Sequence, residues 1–390
     1  MRFLIILFFL YNFSLAWAQE IETVPKKEKP AVNSNTNAAP SQKPSFESEE
    51  IQQSADRELK KDEATSKNAT AISVKLNQLG AQFKQVELQS NVMRTQRTPT
   101  VTQQKLLNDA VKNLEDLNSK SFEYNFYKYV SGNHNTSWFS NLAAAEKLEP
   151  KNNEVQAQLA SYYLIMKNET QALNYLKKLV SSGKLGSEPI ALSHDLLQSV
   201  AQNGVLVTHG ADDTYACVYT QMKDKLRQDV VIVSLELLQS ETYRKSLTGK
   251  GYQMPSAKVI DVNYLTQFCQ LNQAKNISIS MTLPKEYLTP LKSRLYTVGL
   301  LFEYHTDSFD NYSMNDFLWN KKFNKDLIKN AKSNEGKELS ANYLPMLLIL
   351  QEYYGKIGEK ESLNKVNEAI DLVAKQSNKQ EIVKKLTKSD

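Results

Sequence analysis

The sequence predicts a mixed α+α/β chain: tetratricopeptide-like helical repeats, then a small parallel-sheet (Rossmann-like) α/β domain, then C-terminal helices. Three observations carry this. The β-branched apolar run Val205-Leu206-Val207-Thr208 stops at His209-Gly210 and enters Ala211-Asp212-Asp213-Thr214, the pattern of a buried strand passing into a helix. A second run, Val230-Val231-Ile232-Val233, follows after a helix-length interval, which makes a βαβ unit. Upstream, Tyr129 and Tyr163, and likewise Leu142 and Leu176, stand 34 residues apart, the tetratricopeptide period.

In chain order, Met1-Arg2 precede the apolar run Phe3 to Leu10, and Ala16-Trp17-Ala18 offers small residues at a cleavage site. Residues 1–18 therefore read as a signal peptide with a mature start at Gln19, and the expected location is periplasmic or secreted. Gln19 is not the cysteine that a lipid anchor needs. The apolar run is shorter than the ~20 residues that cross a bilayer, and no later uncharged segment reaches that length, so no transmembrane segment is expected after signal removal. Residues 19–69 are rich in Lys, Glu, Asn, Ser and Pro and poor in large apolar side chains, the composition of a disordered linker. Its role is either a spacer or a neutral leader.

Residues 70–200 form the expected helical domain. Ile72, Val74, Leu76, Leu79 and Phe83 recur at helical spacing, as do Leu106, Leu107, Ala110, Val111, Leu114 and Leu117 after Thr98-Pro99. The repeat units occupy Phe122 to Leu185. Leu148-Glu149-Pro150 marks the turn between them, with the proline placed to open the next helix, and Ala145, Ala160 and Ala172 are small where helices press together. One helix pair cannot close a core alone, so flanking helices are required. The aromatic stripe Tyr129, Tyr162, Tyr163 and Leu164 is either core or groove.

Residues 201–310 continue the α/β pattern with strand candidates Val259 to Val262, Ile277 to Met281 and Leu300 to Tyr304, and with Pro284 opening a crossover helix. Residues 311–390 supply helices over Leu344 to Tyr354 and Leu363 to Val373, then a basic, frayed tail from Lys384.

The net charge of +5 is small for 390 residues, and no Lys/Arg stripe interleaves with aromatics, so nucleic acid is not an expected partner. Cys217 and Cys269 are the only cysteines; they are either two buried small hydrophobes or one disulfide. The sequence holds no Gly-x-Ser-x-Gly, His-Glu-x-x-His, Walker or Gly-x-Gly-x-x-Gly pattern, and no metal or cofactor is expected. His134 and His194 read as incidental. Ligands of open parallel sheets favour the carboxyl ends of strands, and His209, Gly210, Asp212, Asp213 and Thr214 occupy such an end. Asp212 or Asp213 serves there as a helix N-cap, or the group binds a small polar ligand together with His305 and Asp307.

Gly210, Asp213, Thr214, Tyr219, Gln221, Arg227, Asp229-Val230, Val233, Leu235, Leu237-Leu238 and Tyr243 resemble a recurring line in the soluble half of bacterial protein O-mannosyltransferase-like multi-pass membrane proteins. Ile277-Ser278-Ile279, Glu286-Tyr287-Leu288 and Gly299-Leu300 follow in the same order, so the resemblance spans residues 200–375. It departs at His209, Ala211 and Val218 and at the polar positions around Ser234-Leu235-Glu236 and Gln239-Ser240. The multi-pass half, where the family's sugar transfer takes place, is absent here. The expected function is a non-enzymatic interaction scaffold of the cell envelope whose helical repeats bind an envelope or membrane protein. The alternatives are an accessory soluble subunit for envelope protein glycosylation, and a small polar-ligand-binding module or hydrolase built on His209 and Asp213.

Overall fold

Helix-forming periodicity and side-chain caps set the first half of the molecule. The computed structural model describes residues 69–88 and 96–387, so the leader expected over 1–18 and nearly all of the linker expected over 19–69 lie outside the described residues. Among the described residues, seven α-helices precede the sheet: α1 (69–88), α2 (Val101–Asn118), α3 (Phe122–Val130), α4 (Phe139–Leu148), α5 (Asn153–Ile165), α6 (Glu169–Ser181) and α7 (Ser187–Ser199). Thr100 and Gln103 form a capping box on α2, and Ser121, Asn152 and Asn168 cap α3, α5 and α6. Helix α5 is thus started by Asn152; Pro150, expected to open it, stays in the turn before it, because a side-chain acceptor meets the free N–H groups that proline would merely remove. Ala145, Ala160 and Ala172 are fully buried where neighbouring helices meet, as their size requires. Leu76, Phe83, Leu107, Val111 and Leu114 close the same core from α1 and α2, while Val74 and Leu106 face outward.

The α/β region holds, among the described residues, five strands, β1 (Val205–Thr208), β2 (Val231–Ser234), β3 (Ile277–Ser280), β4 (Leu295–Val298) and β5 (Leu301–Tyr304), in the order β2-β1-β3-β5-β4. β1 runs parallel to β2 and β3, whereas β5 is antiparallel to β3 and to β4. The sheet is therefore mixed, not wholly parallel as the βαβ pattern suggested. The cause is local: Gly299-Leu300 makes a two-residue turn with Gly299 at φ +56°, so β4 and β5 form a hairpin that a crossover could not. The strand expected over Val259 to Val262 does not form. Asp261 instead accepts from the Tyr264 backbone N–H and caps a helix, while Ile260 is buried as an apolar anchor.

Helix α8 (Ala211–Asp224) follows β1, α9 (Glu241–Thr248) and α10 (Val262–Leu271) follow β2, and the short α11 (Lys285–Leu288) follows β3. Alternate strand residues divide two cores. Val205, Val207, Val233, Ile277, Ile279 and Phe302 pack on α9, α10 and α11; Leu206, Val298 and Leu301 pack on α7 and the C-terminal helices. Those helices are α12 (Tyr312–Phe317), α13 (Asp326–Asn330), α14 (Asn334–Ser340), α15 (Leu344–Ile357), α16 (Lys360–Gln376) and α17 (Gln380–Thr387). The tail expected to fray from Lys384 is helical through Thr387, because Val383 and Leu386 are buried against the preceding helices.

Gly299 tests the hairpin. A Cβ there would stand 2.1 Å from Ser199 Oγ and 2.9 Å from Phe323 Cζ, at a positive φ. Gly299→Ala is expected to cost about 2–4 kcal/mol in urea unfolding. Gly355, inside α15, is the control, since a Cβ added there would meet no atom within 4 Å. Gly355→Ala is expected to be neutral or to stabilise by up to about 1 kcal/mol.

Candidate functional site

The carboxyl ends of β1, β2 and β3 lie side by side because these strands are parallel, and the chain leaves β1 in one direction and returns beyond it to form β3. That reversal is where open α/β sheets place ligands. Gly210 is the N-cap of α8 and Asp213 is its third residue. The Asp213 carboxylate reaches back to accept the backbone N–H groups of His209 (2.8 Å), Gly210 (3.0 Å) and Thr214 (2.9 Å), and the Thr282 hydroxyl (2.7 Å). Burial raises its pKa and these donors oppose the rise. Asp213 is thus the built-in anion of its own helix and ties β1 to the loop after β3. Neither aspartate is the N-cap; that position belongs to Gly210. Thr214 joins Thr208 (2.7 Å) and Ser234 (3.1 Å) in a buried hydroxyl chain across β1 and β2. Asp212 lies in the first turn of α8.

The sequence candidates do not all converge. His209 sits over the Tyr287 ring, 5.8 Å between centroids. His305 follows β5, which runs antiparallel to β3, so it lies at the opposite end of the sheet, paired with Glu303 (3.0 Å) and stacked on Phe309 (3.9 Å). Cys217 and Cys269 are free and buried in different cores, the first, on α8, facing the C-terminal helices and the second, on α10, facing the sheet. The disulfide alternative is therefore replaced by two small core residues. Burial pushes the Cys269 thiol up to about 12 and the Cys217 thiol well above its usual value, which removes thiolate chemistry from both. Among the described residues, no group of three His, Cys, Asp or Glu side chains is placed to hold a metal, and no helix is long and apolar enough to cross a membrane.

The side chains that do converge on the site come from distant parts of the chain. Glu236, just after β2, receives Arg97 through Nε (2.6 Å) and Nη2 on Oε2, and His134 Nε2 (3.0 Å) and Gln239 Nε2 (2.9 Å) on Oε1. Burial alone would raise its pKa, yet Arg97 and His134 hold the carboxyl well below the usual range. A Cβ on Gly210 would stand 3.9 Å from Arg97 Nη2, which places the guanidinium at the amino end of α8. The Tyr287 hydroxyl beside it is buried without a hydrogen-bond partner, as is His134 Nδ1. His134 is therefore a site residue, not an incidental one. Arg97 and Glu236 carry no spacing signal, since they lie 139 positions apart.

The residues that carry the family resemblance are mostly framework. Gln221 Nε2 donates to the carbonyls of Arg227 (2.7 Å) and Val230 (2.9 Å). Arg227 donates to the carbonyls of Leu197 (3.0 Å), Val200 (2.6 Å) and Ala201 (2.9 Å) at the end of α7, and forks onto Asp229 through Nε and Nη2, each at 2.9 Å. One guanidinium thus satisfies the orphan carbonyls of a helix and fixes the entry to β2.

Arg227→Lys is expected to lose the fork and cost about 2–4 kcal/mol in chemical unfolding. Asp229 gives the pH test: its hydrogen bond to Arg227 lowers its pKa from 3.8 to about 2. Stability from this pair is full above pH ~4 and is lost as pH falls through ~2, so Asp229→Asn is expected to cost about 1 kcal/mol near pH 6, solvent screening allowed for, and nothing below pH ~1. At the sheet crevice, Asp213→Ala is expected to destabilise by about 2–4 kcal/mol, read by thermal unfolding.

Comparison with known proteins bears on residues from α7 to α17. The family model for TMEM260-associated domain 2 matches residues 190–387, half of the chain, and fits the resemblance to the soluble part of O-mannosyltransferase-like membrane proteins. No curated protein and no solved structure matches the chain. The match takes in the whole sheet, the Asp213 and Arg227 anchors and the helices that cover them, so this chain belongs to the TMEM260-associated domain 2 family.

Proposed function

We propose that this protein is an exported, non-enzymatic interaction scaffold of the cell envelope, whose tetratricopeptide-like helical half holds a protein partner beside the family domain. The observation that carries the reading is a row of aromatic side chains crossing α4, α5 and α6. Phe139 stacks on Tyr162 (4.1 Å), Tyr162 meets Tyr163 edge-on (5.2 Å), and Tyr163 stacks on Tyr175 (5.6 Å). Phe139, Tyr162 and Tyr163 are only half-buried, whereas Tyr129 is core. The Tyr175 hydroxyl donates to Glu146 (2.6 Å), and Lys178 lies 4.2 Å from its ring centre, so the row ends in a fixed polar rim. Rigid, half-exposed rings with a polar rim are the anchors that protein interfaces use, because they bury much apolar area at little conformational cost. The signal-like leader supports export.

A second reading is favoured by the family match: the domain is described as associated with TMEM260, so the chain acts as an accessory soluble subunit alongside a multi-pass envelope glycosylation protein. One experiment addresses both. The tagged intact chain and a Tyr162→Ala/Tyr163→Ala variant, shown folded by circular dichroism, are used as bait on a detergent-solubilised envelope of the source cell. The scaffold reading expects a partner retained by the first and reduced at least about tenfold on the second, the loss of one or two anchors. Equal retention by both refutes the aromatic row, and a multi-pass partner selects the second reading.

A further inference from the structure

Residues 96–99, just before α2, lay a short polar strap over the carboxyl-end crevice. Gln96 makes an antiparallel bridge to Asp261, the Arg97 backbone N–H donates to the Ile260 carbonyl (2.7 Å), and the Ile260 N–H donates to Thr98 Oγ1 (3.0 Å). Residues 96–99 are Gln-Arg-Thr-Pro, all half-buried, with no large apolar side chain to root them in a core. The strap's main hold inside the crevice is the Arg97 guanidinium, seated on Glu236 Oε2 next to Gly210.

Glu236 does not depend on Arg97 for its position. His134 and Gln239 hold its other oxygen, so departure of Arg97 leaves a fixed carboxyl with one open face. A carboxylate held in this way is shaped for a planar guanidinium, which donates from two nitrogens at once, more than for a compact ammonium. Arg97 thus shows which chemistry the crevice accepts.

We propose that the Glu236 crevice is a recognition site for an arginine side chain, filled in cis by Arg97 and open to an arginine-bearing segment of a partner protein when the strap lifts. The strap then competes with the partner, and apparent affinity falls by the fraction of molecules in which Arg97 is seated. This site is separate from the aromatic row, so the two proposals fail independently.

The test is chemical rescue in the intact chain. Thermal unfolding of wild type, Arg97→Ala and Arg97→Lys is followed with N-acetyl-arginine amide or its lysine counterpart at about 10 mM. The arginine probe is expected to raise the Tm of Arg97→Ala by about 2–4 °C, that of Arg97→Lys by less because the introduced ammonium competes, and that of wild type by under about 1 °C. The lysine probe should do less in each protein, and Glu236→Gln should abolish the rescue in the Arg97→Ala background. No shift with either Arg97 variant, an equal shift in wild type, or rescue that survives Glu236→Gln overturns the proposal. If Arg97→Ala does not fold, Arg97→Lys alone decides, by a shift with the arginine probe exceeding that in wild type.

Discussion

The structure depends on the burial of α8 on two sides. Cys217 faces the core under the C-terminal helices, while Tyr215, Ala216, Val218 and Tyr219 face the helical half, so water is excluded from both flanks. Every polar group on such a helix must be met from within the protein. Asp213 meets the first turn, Thr214 meets the strands, and Thr220 meets Ser193 (2.6 Å). Tyr215 reaches Ser161 (2.8 Å) and the Ala157 carbonyl (2.7 Å) on α5. The family domain and the helical half thus share α8, which belongs to both cores.

The same requirement governs the rims of the sheet. β2 and β4 are edge strands, and an open edge invites pairing with another chain. The Tyr243 hydroxyl donates to the Ile232 carbonyl (3.0 Å) on one edge, and Asn311 (2.6 Å) and Asn315 (3.0 Å) both donate to the Thr297 carbonyl on the other. Side chains thus occupy edge acceptors on both outer strands.

The polar groups of the crevice are largely engaged with one another. Asp213 supplies the negative charge that a helix amino terminus attracts, so the position that an anionic ligand would take is already filled. Glu236 and Arg97 neutralise one another a short distance away. What remains is a preformed set of directional contacts, suited to recognition.

Local chemistry was legible in the sequence. β1, β2, β3 and β5 fell at the expected strand positions, the helices of both halves followed apolar spacing, and small alanines marked close packing, because each signal lies within one element. The Asp213 region was found as a strand-to-helix junction, although its carboxylate turned out to serve the helix it belongs to. Tertiary structure alone decided the direction of the last two strands, the failure of Val259 to Val262 to join the sheet, the separation of His305 from His209 and of Cys217 from Cys269, and the meeting of Arg97, His134 and Glu236. Those outcomes rest on which distant segments share a core or a charge, and periodicity within a segment carries no record of its partners.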